Sequence, residues 1–305
     1  MSTVLAIALL VAGIVLVVGG AELFFEALLA GASRLRVSAF ALAAVVSGFE
    51  LENLAAGIAA NAKGLPGAAA GTFLGGTTFL ALGVAGLGGL LAPIRADLPR
   101  SVLAWLAASP VPLLALAADG ELSRLDGGLL VAWFAVALTG MARAGRSLLV
   151  AEDTAHDPRR WLLRLFAGLG VLTGGGVLLG DGLRRVVNDL GVSQTLLGNT
   201  AIAAAVEAEE VGRVAIPAKR GRGDVAIANV AGTIVHFTAF NAGVIALVRP
   251  LPLDSASLHL HLPVSVGATL LLCAALLFGH GIGRRSGAAF VALYAAYVAT
   301  AIAIG

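Results

Sequence analysis

The chain has 305 residues, 59% of them hydrophobic and 12% charged, with a formal net charge of +2. Soluble domains run near 25% charged, so a soluble globular fold does not fit, and so small a net charge gives no basis for nucleic-acid binding. The apolar residues gather in blocks of about bilayer-spanning length, and the 40 glycines suit a bundle of closely approaching helices.

In chain order the blocks cover roughly 3–25, 38–62, 67–93, 101–118, 126–143, 161–181, 192–217, 224–248, 261–280 and 286–304. They predict an all-α, multi-pass protein of the cell membrane with ten transmembrane helices, in contact with the lipid bilayer. The start, Met-Ser-Thr-Val-Leu, has no basic n-region, and its apolar stretch is too long for a signal sequence, so it reads as a retained first helix. Loops after odd-numbered helices hold 14 of the 20 basic residues and loops after even-numbered helices hold 5, Arg213 lying within a helix. By the positive-inside rule the odd loops are cytoplasmic and both termini lie outside.

Helix 1 carries Glu22 and Glu26, one turn apart on one face near its inner end. They read either as part of a proton or cation path, with Glu22 a candidate proton relay, or as a polar helix end paired with Arg34 or Arg36. Helix 2 contains Gly48-Phe-Glu-Leu-Glu-Asn53, and helix 7 contains Ala205-Val-Glu-Ala-Glu-Glu210. Each places carboxylates inside an apolar run, where an unpaired ionisable group costs roughly 2.5–3.5 kcal/mol. A metal ion or a proton is the simplest partner for that charge. Residues 144–160 form the most polar segment and read as a short cytoplasmic linker. His236 in helix 8 reads either as a ligand or proton relay, or as a histidine hydrogen-bonded inside the bundle. His259 and His261 are expected in a solvated outer loop, and Cys273 as packing within its helix.

The second half replays the first. Glu207, Glu209 and Glu210 stand 157 positions after Glu50, Glu52 and Asn53, and the same offset takes Gly75 to Gly232. Five helices per half is an odd number, so the halves insert with opposite orientation. That is the inverted-repeat plan of many secondary transporters, with the site at the midplane. The expected division is 1–143 for the first five-helix repeat, 144–160 for the linker and 161–305 for the second repeat.

At these residues the chain resembles the calcium/cation antiporter superfamily, of the sodium/calcium exchanger type. That family carries Gly-Thr-Ser-x-Pro-Glu on helices 2 and 7, and a Gly-Asn-x-x-Gly-Ser-Asn-x-Phe type motif on helices 3 and 8. Here the Ser of each first motif is Glu50 or Glu207, the Pro is Glu52 or Glu209, and the central Glu is Asn53 or Glu210. The hydroxyls of helices 3 and 8 match Gly76 and Thr233, and the acidic or amide positions one turn later match Leu80 and Phe237. Without the two family prolines, helices 2 and 7 are expected to be less kinked. The resemblance implies a secondary cation antiporter with alternating access around a midplane site. Its candidate ligands are Glu50, Asn53, Glu207 and Glu210, with Glu52, Glu209 and Thr233. Spacing puts Glu50 with Asn53 and Glu207 with Glu210 on shared faces, while Glu52 and Glu209 point elsewhere.

All these donors are hard oxygens, which suits Ca2+, Mg2+, Mn2+, Na+ or H+ and argues against soft metals. Crowded carboxylates share protons, so exchange of a cation against protons is physically natural, and the resemblance implies Ca2+ or a similar cation moved against H+ or Na+. The cation is a transient substrate, and no resident cofactor is expected. No His-Glu-x-x-His or Gly-x-Ser-x-Gly occurs, and Leu-Leu-Gly-Asp181 has no second matching Asp motif, so the chain does not read as an enzyme. The alternative is a transporter-derived protein that binds an ion without moving it, as a sensor or assembly partner.

Overall fold

The computed structural model describes residues 2–47, 50–148, 160–189 and 208–304. Helix α1 runs unbroken over Ser2–Leu35. At 1.5 Å per residue its 34 residues reach about 51 Å, well beyond a hydrocarbon core of about 30 Å. Glu22 and Glu26 therefore lie within the helix and not near its inner end. The run stops only at Arg36, whose φ of 55° is left-handed. Helix α2 (Ala39–Val46) opens on the Ser38 hydroxyl, which accepts from the Ala41 N–H at 3.2 Å.

Helix α9 (Trp161–Asp189) packs along α1. Gly13 of α1 faces Gly175 and Leu179, Gly20 faces Gly168 and Leu172, and Gly31 faces Trp161. Numbers rise on one helix as they fall on the other, so the two are antiparallel. The glycines at 13 and 20, and at 168, 175 and 182, are spaced by seven, two helical turns, and keep to one stripe. Backbone meets backbone along that stripe, which is how helices associate where lipid is as apolar as leucine. These are the first helices of the two halves, and their opposed directions are the inversion expected from the sequence.

The centre of the molecule is a matched pair. Helix α4 (Pro66–Thr78) passes through a π turn (Phe79–Val84) into α5 (Ala85–Leu91). Helix α11 (Gly223–Val235) passes through a π turn (His236–Asn241) into α12 (Ala242–Val248). Every boundary of the second set lies 157 positions after the first, as 79 and 236 illustrate. The most apolar stretches of these two composite helices are 72% and 83% buried, against 11% for that of the last helix, α14 (Arg284–Ile304). Beside each π turn, threonine hydroxyls bond back to carbonyls one turn earlier: Thr77 to Phe73, Thr78 to Leu74, Thr233 to Asn229 and Thr238 to Ile234. Such back-bonding competes with the backbone ladder.

Glycine pairs lock the outer helices onto this core. Gly86 of α5 meets Gly287 of α14, and Gly243 of α12 meets Gly127 of α8 (Arg124–Ala144). Two short antiparallel ladders repeat the exchange. Strand β1 (Ile94–Arg95) pairs with β4 (Gly281–Ile282), and β2 (Glu121–Leu122) pairs with β3 (Leu251–Pro252). Each ladder takes one strand from each half. Helices α6 (Arg100–Ala108), α7 (Val111–Leu116) and α13 (Leu262–Gly279) complete the surround.

Among the described residues, eight helical stretches are long and apolar enough to cross a membrane. They match eight of the ten expected blocks. The block at 38–62 is not one of them because its helix is broken: α2 ends at Val46 and α3 (Leu51–Ala62) starts anew. This corrects the expectation of a less kinked helix 2. Of the block at 192–217, residues 208–217 are described, and they lie in α10 (Ala208–Lys219). His261 also departs from expectation: it is half-buried, with Nδ1 2.8 Å from the Tyr297 hydroxyl. The linker lies mostly outside the described residues.

Candidate cation site

The site forms where the break in helix 2 meets the start of α10. Helix α10 carries Glu209 and Glu210 in the first turn of its described range. Arg213 follows at i+4 and i+3, so all three side chains share one face. Its Nη2 lies 3.3 Å from Glu209 Oε1 and pairs closely with Glu210 Oε1. From the other half, Glu50 brings its Oε1 to 3.7 Å from the same Nη2. Arg213 and Glu210 are 3% and 1% exposed, so the guanidinium is out of water and held by carboxylates.

The break supplies the rest of the cradle. Ser47 ends α2, and its carbonyl accepts from Arg213 Nη1 at 3.0 Å and from the Thr233 hydroxyl at 3.1 Å. Glu50 precedes α3 with φ −87° and ψ 79°, outside the helix. It accepts a 2.7 Å bond from Asn53 Nδ2, as the i+3 spacing predicts. The family proline is not needed for this break. A carbonyl freed at a helix end lines the site here, beside the added carboxylates.

Pro217 has a specific consequence. It sits inside α10 and lacks the N–H that would bond the carbonyl of Arg213 one turn earlier. Asn229 of α11 fills the gap, donating from Nδ2 to the Arg213 carbonyl at 2.6 Å. The Asn229 Oδ1 accepts a short bond from the Ser47 hydroxyl. One buried amide thus ties α2, α10 and α11 together. On α9, the Thr173 hydroxyl donates to Glu209 Oε2 at 2.9 Å.

Of the residues expected from sequence, Glu50, Asn53, Glu209 and Glu210 meet around Arg213, and Thr233 shares the Ser47 carbonyl with it. Glu209 was expected to point elsewhere. Its partner Arg213, one turn on, keeps it in the cluster. Glu207 lies outside the described residues. Glu52 falls in the first turn of α3, and the structure does not describe its side chain. Glu22 is not in the cluster: it is half-exposed and pairs with Arg220 at 3.5 Å, not with Arg34 or Arg36. The His236 ring is fully buried, with Nδ1 2.8 Å from the Gly232 carbonyl and its edge against Phe134 at 4.6 Å.

Helices 3 and 8 contribute little oxygen at the matched positions. The Phe237 ring packs over Gly76, where a Cβ would come within 2.8 Å of its Cδ2. Leu80 is buried as well. That leaves Thr233 as the oxygen donor among these four positions. Among the described residues, no three His, Cys, Asp or Glu side chains are placed to close on a metal ion.

Sequence reasoning missed Arg213, Asn229, Ser47 and Thr173. The signal for Arg213 was present. A basic residue within an apolar helix, three and four positions after two glutamates, marks a buried pair.

The sequence model described as "Sodium/calcium exchanger protein" matches residues 5–142 and 161–303. The inner membrane protein YrbG of Escherichia coli (strain K12) is 29% identical over 274 residues, 82% of each chain. The putative antiporter CaxA of Alkalimonas amylolytica is 27% identical over 280 residues, covering 85% of this chain and 86% of that one. Among solved structures, the sodium-calcium exchanger NCX_Mj soaked without Na+ and Ca2+ superposes with a TM-score of 0.82. It is 25% identical, with 97% of this chain and 98% of that chain covered.

Proposed function

Since this chain belongs to the sodium/calcium exchanger family of multi-pass membrane cation antiporters, we propose that it exchanges a hard cation, Ca2+ or similar, against H+ or Na+ around the cluster at Arg213. The convergence of Glu50 and Asn53 from one half with Glu209 and Glu210 from the other carries this reading. Carboxylates contributed by both repeats, at a broken helix, are what a carrier needs to face either side in turn.

The chemistry follows from the donors. A cation entering the cluster finds carboxylate and carbonyl oxygens, which favour hard ions. Three carboxylates face one guanidinium, so the cluster has room for further positive charge. Protons and metal ions compete for that room, because an oxygen must give up its proton to bind metal. Protons are the counter-ion we favour. His236, three residues beyond Thr233 at the start of the π turn that follows α11, is a candidate relay. The sodium/calcium exchangers share the fold, but Gly76, Leu80 and Phe237 here supply no ligating side-chain oxygen.

The test is cation uptake into proteoliposomes against imposed pH or sodium gradients, one at a time. Uptake driven by a pH gradient, and inhibited as pH falls, is expected. Uptake driven by sodium alone and indifferent to pH between about 6 and 8 would refute proton coupling. The second reading, an ion-binding protein that does not transport, draws on the guanidinium already lodged among the carboxylates. Binding without flux in the same vesicles would favour it.

A further inference from the structure

The position of Arg213 has a second meaning. Its Nη2 is shared by Glu50, Glu209 and Glu210, the carboxylates that would otherwise surround a mobile ion. A bound Ca2+ draws its oxygens to about 2.3–2.6 Å on all sides. The same oxygens cannot turn toward a guanidinium and close on a metal together. The head group is also fixed from behind, with Nη1 on the Ser47 carbonyl. Asn229 holds the backbone carbonyl of the same residue. Nothing in this arrangement is an accident of a long side chain at a surface, since Arg213 is 3% exposed.

We propose that Arg213 is a tethered cation that occupies the exchanger's central site and competes with the mobile cation for Glu50, Glu209 and Glu210, so setting the site's affinity for divalent ions. This rests on the carboxylate cluster being the cation site. The guanidinium neutralises one carboxylate permanently, since arginine does not release its proton in proteins. The cluster therefore takes up one fewer mobile positive charge than its carboxylates alone would. A divalent ion must displace the guanidinium before it gains its full set of oxygens. Protons need no such displacement, because each binds a single oxygen. Arg213 thus tilts the competition toward protons and away from divalent metal.

The experiment is Ca2+ binding to purified, detergent-solubilised full-length protein at mildly alkaline pH, followed by equilibrium binding of radioactive calcium. Arg213→Gln is expected to bind Ca2+ at least about tenfold more tightly than the wild-type chain. The double variant Arg213→Gln with Glu210→Gln is expected to lose that gain. Equal affinity in wild type and Arg213→Gln would overturn the proposal, and so would a gain that survives Glu210→Gln. If Arg213→Gln does not yield monodisperse protein, Arg213→Met keeps the long side chain, removes the charge and leaves every carboxylate in place, and the same gain is expected of it. Its failure to show that gain would equally overturn the proposal. Binding is read without transport, so the two readings fail separately. A gain in Ca2+ affinity with no flux in vesicles upholds the tethered cation and sinks the antiporter reading. Wild-type flux with no gain in Arg213→Gln does the reverse.

Discussion

Arg213 and Asn229 show how much one side chain can decide in a bundle built of alanine, glycine and leucine. Asn229 is fully buried and serves a carbonyl that Pro217 leaves without its helical partner. Asn229→Ala should therefore destabilise the protein by about 1–3 kcal/mol, the cost of an unsatisfied buried polar group. Pro217→Ala restores the missing donor, so the cost of Asn229→Ala should shrink in that background. Thermal unfolding of the four proteins in detergent closes the cycle, and strictly additive losses would count against the explanation. At the centre, Glu210→Gln is expected to abolish or severely reduce flux in proteoliposomes, because it removes a carboxylate pressed against Arg213. Glu209→Gln should be milder, since Gln keeps an oxygen for the Thr173 hydroxyl and the residue is partly exposed. Flux lost to the same degree in both would reject that ranking. The sequence made Glu50 with Asn53 legible through helical spacing, and Glu210 through the family motif. It left Glu209 misplaced, because an i+2 step from Glu207 turns off the shared face, whereas the arginine one turn on draws Glu209 into the cluster.

At the scale of elements, the antiparallel seam of α1 and α9 makes a sharp contrast between neighbouring glycines. A Cβ at Gly20 would lie 2.7 Å from the Leu172 nitrogen, while one at Gly19 meets nothing within 4 Å. Gly20→Ala should lower the melting temperature clearly and Gly19→Ala should leave it nearly unchanged. Equal effects would show that the seam is not packed backbone to backbone. A second element-level expectation concerns Asp254, ahead of the turn that leads into α13. The nearby Ser257 hydroxyl and the Ser257 N–H, which donates to the carboxylate at 2.7 Å, hold Asp254 below the usual carboxylate range. A carboxylate depressed by folding stabilises above its unfolded value and loses that contribution as pH falls through the folded one. The cap should therefore persist at neutral pH and fail only in acid, and Asp254→Asn should flatten that acid loss in a pH series of unfolding. Apolar length, and a glycine content suited to close helix contact, were readable from the chain. The paired π turns were not, because a π turn differs from an α-helix by one step of hydrogen bonding and leaves no mark in composition or periodicity. The break in helix 2 has no proline to mark it, and Arg213 and Thr233, distant in sequence, satisfy the carbonyl that the broken helix exposes.

For the whole molecule, the charge asymmetry of the loops gives a direct test. Single cysteines at Arg36 and at Lys63, both exposed, should be labelled from opposite sides of the membrane by an impermeant thiol reagent. Labelling of both from one side would rule out the expected orientation. The repeat was the most legible large feature, since one offset of 157 carries the π turn starting at Phe79 onto that starting at His236. That offset also places Ala56 as the counterpart of Arg213. In a body made of two like halves set head to tail, exchanging their conformations turns an outward opening into an inward one. Were the halves identical, the two openings would be of equal energy and equally populated. A buried guanidinium in one half, answered only by a methyl group in the other, removes that degeneracy. The empty carrier is then expected to rest facing one side, and Arg213→Ala should move it toward an even division, read as the accessibility of a cysteine in each vestibule. One buried charge without a counterpart would thus help give a near-symmetric machine its preferred direction of rest.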